Sequence, residues 1–591
     1  AIVPYYYRQM DREIRAGVQR RLAECFPDLQ MTVGAVDFVE GEGIRVRHLR
    51  LFDPGAEAGQ AELLHIDELV LHCQQDLKEL VEGDLHVAKI TIRRPVLRAV
   101  RRGDESWGIE KLLRRQPEDH EPPMETCVEA GTLEIRDPLG SPPSVLVLRD
   151  FNLAVVPQAA PGFQNSTEQP SERRVYKFQG RFEADRVRNV EFAGLFDGST
   201  RQLAVGGKAE GVQLCPELQA VFPQVLAEQA ALPAGLRAQA DVQFSLEGYL
   251  GSGLPWRYRV SGQLFDGRLD DNRLPHPLTD IRAVFRADNL GIVIEELAAN
   301  SNQATVRLSA RLAGLGADSP KLVEADVRQL ELDRRVLAVL PESLQDQWHK
   351  YRPAGAVDLR AVLEFDGYRW RHDVTVRSMN LSFAHYKFPY RLEEAQGTIT
   401  YRDDLLQANL LAYSGAQPVH LEAQWQNPTG SPVGWVEVRA DDIQIDAKLL
   451  AALPEKTRRV LQSLNGRGQM DCYVRMWRSQ PEGPMHKHVL LTCDGCSVQY
   501  ERFPYPIQNI RGVLEMMDDA WSFRNLEGSN GKARITGQGH LRPTLEGCEL
   551  LLSLTGDEVQ LDEQLRDALR PNEQQVWHIL RPRGACNLSA E

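Results

Sequence analysis

The sequence predicts a mostly β chain, an elongated and curled antiparallel β-sheet groove built from repeats of about 115 residues, each with one short α-helix. Three observations carry that expectation. Apolar and polar residues alternate strictly over long stretches, glycine and proline punctuate the chain at turn-like intervals, and three separate features return in a fixed order at one period.

At 591 residues the chain exceeds what one compact core supports, so several domains or a repeated unit are expected. The composition is 42% hydrophobic and 26% charged, and its 45 glycines and 34 prolines are spread along the chain, as many short strands require. Net charge is −14, from 83 acidic against 69 basic residues, and no basic stripe interleaves with aromatics, which argues against a nucleic-acid partner. Nine cysteines without framework spacing do not make a disulfide scaffold and leave the redox compartment open. No run of eighteen apolar residues occurs, so no segment reads as a membrane-spanning helix.

The chain opens on Ala1-Ile2-Val3-Pro4, followed by YYYRQMDREIRAGVQRRLAECF, which reads as an amphipathic helix with aromatics at the level of a membrane interface. A transmembrane anchor upstream of residue 1 is expected, with a processed terminus of a soluble protein as the alternative. Strands follow at GIRVRHLRLFDP (43–54), AELLHIDELVLHC (61–73) and within 77–113, with a short helix near Leu77 to Val81. The expected division is an N-terminal module over 1–120, four repeats over 121–235, 236–354, 355–467 and 468–583, and the start of a truncated further repeat over 584–591.

The repeat rests on a proline-centred turn between strands, at Pro275, Pro389 and Pro504, spaced by 114 and 115 residues. A short helix comes next, in VQLCPELQAVFP, LELDRRVLAVLP, IQIDAKLLAALP and VQLDEQLRDALRP. Asp333, Asp446 and Asp562 stand where an N-cap carboxylate accepts orphan N–H groups, and Cys215 precedes a proline at the first helical position. The helices end at Pro223, Pro341, Pro454 and Pro571, spaced by 118, 113 and 117. A glycine then opens an alternating strand, at Gly235, Gly355, Gly468 and Gly584, spaced by 120, 113 and 116. Because the last of these opens a further unit, the chain is expected to be part of something longer, or a fold whose last unit is incomplete.

In LRAQADVQFSLEG, Leu236, Ala238, Ala240, Val242, Phe244 and Leu246 fall on one face and Arg237, Gln239, Asp241, Gln243, Ser245 and Glu247 on the other. ATVRLSARL sets Ala304, Val306, Leu308, Ala310 and Leu312 against Thr305, Arg307, Ser309 and Arg311 in the same way. One short helix per repeat is too small to cover about five strands, which are about 24 Å across at about 4.8 Å each. Either the apolar side faces itself in a filled core, or part of it stays open as a groove, and an open apolar groove in water calls for an apolar occupant. Acyl chains suit a continuous trough. The residues expected to line its floor are Leu236, Val242, Phe244, Val306, Leu308, Val357, Leu359, Leu363, Leu421 and Trp425.

The N-terminal 155 or so residues carry a recognisable pattern: Ile66-Asp67, Leu80 and Gly83, then Ile90, Ile92, Pro95, Leu97, Arg101, Gly103, Trp107, Ile109, Leu112 and Leu113, then Gly131, Thr132, Leu133, Ile135 and Asp137. In these residues the chain resembles the AsmA-like family, which includes TamB-like proteins, and the repeats resemble the body of the same family. The resemblance implies a periplasmic protein anchored in the inner membrane, with a taco-shaped β-groove similar to that of chorein-type bridges, moving phospholipid between membranes of the cell envelope. It implies phospholipid acyl chains, the membranes at its ends and envelope proteins as partners. The sequence has no Gly-rich phosphate loop, no strand-borne nucleophile elbow and no paired carboxylates with a plausible cleft, so no cofactor and no enzymatic activity are expected. A rival reading is an assembly factor that assists outer-membrane protein biogenesis through strand edges.

One constellation has metal-site residue types: His486, His488, Cys493 and Cys496 in HKHVLLTCDGC. Asp494-Gly495 between alternating strands reads first as a two-residue hairpin turn that sets the cysteines opposite one another, with metal or redox use as the alternative. Arg93-Arg94 and Arg98 to Arg102 read as a solvated strand face, with headgroup contact as the alternative. PEDHEPPMET (117–126) reads as a linker and QAAPGFQNSTEQPSERR (158–174) as a polar loop bearing an incidental glycosylation sequon.

Overall fold

A computed structural model describes residues 15–20, 23–24, 26–39, 42–55, 62–73, 87–101, 107–109, 112, 124–138, 144–158, 175–219, 233, 235–250, 255–314, 316, 318–544 and 547–590. These residues are mostly strand, with few helices. The chain forms two compact units, one of residues 1–271, 277–300 and 309–319, the other of residues 272–276, 301–308 and 320–591. Each unit is a curled sheet that is not closed. Most of the first expected helix, the helix near Leu77, most of both proposed linkers, the sequon and Pro223 lie outside the described residues.

In the N-terminal part, Gln30–Thr32 and Ala35–Val39 both pair with Gly43–Phe52, which pairs with Glu62–Cys73, which pairs in turn with Val87–Val100. Their apolar face closes over a core in which Val46, Leu63, Ile44 and Leu51 are buried. Val87–Val100 and Glu125–Asp137 then pair in parallel; after them each strand pairs antiparallel with the next from Glu125–Asp137 to Gly291–Ser301, and again from Lys321–Glu331 to Ala585–Ala590. Tight turns between successive strands favour that meander.

From Leu236 onward one arrangement recurs: six strands and two short helices. Strands from Leu236–Tyr249 to Lys321–Glu331 precede helices Arg334–Val339 and Glu342–Tyr351, and strands from Ala354–Phe365 to Val433–Gln444 precede Ala447–Ala452 and Glu455–Ser463. Strands from Arg467–Arg478 to Gly547–Gln560 precede Glu563–Ala568 and Pro571–Leu580, and Ala585–Ala590 follows. Each of these expected helices is therefore the first of a pair. Proline lacks an N–H and is tolerated at a helix start, so Pro341, Pro454 and Pro571 end one helix and begin the next. Asp333 accepts from the N–H groups of Arg335 and Val336, Asp446 from Leu449 and Asp562 from Leu565, as N-caps do. The second helices are tied back to the sheet where Lys350 O accepts from Tyr386 N at 2.8 Å and Ser463 O from Glu501 N at 2.9 Å.

Two local expectations change. Pro389 and Pro504 do not centre turns: each is the second residue of a strand, and the hairpins turn through Tyr386-Lys387 and Glu501-Arg502 just upstream. Asp494-Gly495 is not a hairpin turn either. Both residues lie inside the strand His486–Tyr500, where the register with Phe503–Met517 shifts between Cys493 and Cys496 and Gly495 has φ +77°. The pair is a β-bulge, an extra residue that bends the strand and leaves pairing intact on either side.

Bulges form a second repeated device. The last strand before each helical segment bulges at Gly211, Gln329, Asp442 or Glu558, all with φ between 53° and 63°. The N–H of each is accepted by a side chain of the next strand: Asp241 at 2.8 Å, Asp358 at 2.9 Å, Asp471 at 3.0 Å and Asn587 at 3.1 Å. A bulge leaves one N–H out of the ladder, and a carboxylate or amide one strand on satisfies it.

Candidate functional site: a partly covered apolar face

Cross-strand register shows how far the apolar face extends within each unit. In the first, Ile92, Val128, Leu153, Gly180, Phe192, Gly207, Phe244 and Val260 are successive partners on neighbouring strands. In the second, the same holds for Leu410, Leu421, Val438, Val474, Val489, Met516 and Trp521. Neither row contains a polar side chain. Residues opposite one another in a ladder share a face, so each row is an uninterrupted apolar track running across the strands.

Of the floor residues expected from sequence, the register sets Leu236, Val242, Phe244, Val357, Leu359, Leu363, Leu421 and Trp425 on this face. Leu236, Val242 and Phe244 lie in the first unit, and Val306, Leu308, Val357, Leu359, Leu363, Leu421 and Trp425 in the second. Their neighbours along the strand, such as Arg237, Asp241, Gln243, Arg307, Glu422 and Gln424, are exposed. Val357 is buried, whereas the other nine are only partly buried. Full burial on this face gathers where helices settle on it. Leu565 and Ala568 pack with Tyr505, Ala533 and Val559, Leu218 with Val212 and Ala240, and Leu449 against Val419, Ala440 and Ile443. Most residues of the two tracks, among them Phe192, Phe244, Leu421, Val438, Val474, Val489, Met516 and Trp521, are only partly buried.

Sequence reasoning missed how the aromatic part of the floor is built. Phe192 sits opposite Gly180 and Gly207, Phe178 opposite Gly194, and Phe244 opposite Gly207. A Cβ at Gly180 would stand 2.6 Å from Phe192 Cζ, and one at Gly207 2.8 Å from Phe244 Cζ. The rings therefore lie over the glycines of the next strand, an arrangement only glycine permits. Phe151, Phe178, Phe182 and Phe192 also meet one another with centroids 6.1–6.3 Å apart. Rings laid down on the sheet make a smooth floor and leave the space above it free. The signal was present in the sequence as glycines on the apolar parity of alternating strands.

The opposite face is wetted and carries its own charge pairs. There Lys208 bridges Glu191 and Glu210 at 3.2 Å each. The basic cluster near residue 93 is paired across strands: Arg93 with Glu68 and Glu129, Arg94 with Asp67, Arg98 with Glu62 and Glu134, and Arg101 with Asp137. Its charges are answered by the sheet itself, as a solvated strand face requires.

The four residues of HKHVLLTCDGC are divided between the faces. His488 and His486 sit with Arg475 and Trp477 on the wetted side, His488 Nε2 2.9 Å from Glu515 and His486 Nδ1 2.9 Å from Asp518. The bulge restores parity, so Cys493 and Cys496 both turn to the apolar side with their thiols in contact. The hydrogen bond from Cys493, together with those from the backbone, outweighs burial and lowers the Cys496 thiol to about 7, while the same contact and burial push Cys493 up. The histidines are thereby removed from any shared site with the thiols.

No family model matches the chain, and no curated protein sequence matches it.

Proposed function

We propose that this chain is a non-enzymatic carrier of phospholipid between membranes of the cell envelope, akin to the AsmA-like and TamB-like proteins it resembles in its first 155 or so residues. The observation that supports this reading best is the pair of apolar tracks, each continuous across many strands and covered only locally by helices. Such a surface attracts hydrocarbon at about 0.8 kcal/mol per buried methylene, so ten methylenes against it contribute roughly 8 kcal/mol. Acyl chains lie along the track while headgroups remain in water, and gradients or partners outside the chain set the direction. In this reading the chain works in the periplasm, held to the inner membrane.

The test pairs binding with transfer. Native mass spectrometry of detergent-free protein should find co-purified phospholipid, and the protein should speed movement of a fluorescent phospholipid between vesicles. Val242→Glu with Phe244→Glu, or Leu421→Arg with Trp425→Glu, should stop transfer while circular dichroism shows the strands intact. Folded variants that transfer lipid at the normal rate would end this reading. Photocrosslinkers at the same positions that capture polypeptide instead of lipid would favour the assembly-factor reading.

A further inference from the structure

We propose that His48, His65 and Asp67 form a binding site for one first-row transition-metal dication of the zinc type. The site lies on the N-terminal module and is independent of the lipid reading.

The ladder brings the three residues together. Arg47 pairs with Glu68 and Leu49 with Ile66, which sets His48 opposite Asp67, while His65 and Asp67 are two apart and share a face of their strand. His48 has φ 53°, a conformation that interrupts the regular strand at that point. One donor atom from each residue lies within 4.8 Å of the others, close enough for small rotations to bring them onto one ion with bonds of about 2.0–2.2 Å. His48 is exposed, so its ring is free to make that rotation.

The hydrogen bonds of His65 give the site its chemical logic. Its Nδ1 is 3.3 Å from Glu62 Oε1 and its Nε2 is 3.0 Å from Asp67 Oδ1. A neutral imidazole has one N–H, so between two carboxylates it turns a lone pair toward one of them. A metal ion on Nε2 removes that conflict: Nδ1–H donates to Glu62, and Nε2 and Asp67 Oδ1 both face the ion. The outer partners are already in place. Arg94 Nε holds Asp67 Oδ2 at 2.9 Å, leaving Oδ1 for the ion, and Arg98 holds Glu62 Oε2 at 3.2 Å. Two imidazoles and one carboxylate suit zinc, nickel or copper better than magnesium or calcium, and water completes the shell. A doubly protonated His65 would also satisfy both carboxylates, but that arrangement has no use for His48.

His48 therefore decides the matter. Metal-stripped protein titrated with Zn²⁺ should bind one equivalent at this site, and Co²⁺ in its place should give a visible spectrum without a thiolate charge-transfer band. His48→Asn, which tolerates the left-handed backbone, and Asp67→Asn should each weaken binding on the order of tenfold or more. Cys493→Ser with Cys496→Ser should leave it unchanged. The proposal is overturned by any of three results: no stoichiometric binding to the unmodified protein, full affinity in folded His48→Asn, or loss of binding in the cysteine variant.

Discussion

Asp333 shows what a single carboxylate does at the start of a helix pair. Burial pushes its pKa up, but the N–H groups of Val336 and Arg335 and the His276 ring favour the ionised form, and the net direction is down. A carboxylate with a depressed folded pKa binds fewer protons in the native state than in the unfolded one. Its contribution is complete above the unfolded value near 3.8 and disappears as pH falls through the lower folded value. Asp333→Asn keeps a good capping residue and removes the charge. Its stability deficit against the parent, measured by urea unfolding, should therefore be constant near neutrality and shrink below about pH 4. Asp446→Ala removes the cap itself and should cost about 1 kcal/mol. Asp358→Ala strips the bulge N–H of Gln329 of its 2.9 Å acceptor and should also cost about 1 kcal/mol, while Asp358→Asn should recover most of it.

At the scale of an element, the strand His486–Tyr500 turns on one inserted residue. The Asp494-Gly495 bulge sets Cys493 and Cys496 on one face, while Cys472, on the neighbouring strand and opposite Leu491, is pushed up to about 11 by burial. Mild oxidation with diamide should join Cys493 to Cys496 and leave Cys472 a thiol, as peptide mapping would reveal. Deleting Gly495 moves everything after it to the other face, and the crosslink should then be lost. Sequence alone pointed to a hairpin here, because Asp-Gly between alternating runs is the same local signal in a turn and in a bulge. The distinction lies in what the flanking residues pair with. Cys493 and Cys496 each find partners on the same adjacent strand, Gly512 and Ile510, instead of on each other. The helix pairs carry a related lesson. An N-cap and a terminating proline were legible, but proline starts a helix as readily as it stops one, and the second helix had no separate sign.

At the scale of the molecule, the apolar face is the feature on which the proposed function rests. Introducing charge at Val242 and Phe244 in one unit, or at Leu421 and Trp425 in the other, should leave far-ultraviolet circular dichroism unchanged, since ladder hydrogen bonds belong to the backbone. The same variants should lose phospholipid in native mass spectra. By contrast, charge at Val46 or Leu63, which are fully buried in the N-terminal core, should unfold that module.

The sequence by itself determined the β class, the period near 115 residues, the N-caps at Asp333, Asp446 and Asp562, and the alternation of apolar and polar residues along the strands. All of these are local: alternation, capping and spacing act over a few residues, and repetition only multiplies them. Tertiary structure alone decided that glycines and phenylalanines interlock across strands, that bulges are pinned by the next strand, and that helices cover the apolar face in patches. Those properties belong to pairs of residues far apart in the chain, and alternation within a strand carries no record of what lies across from it.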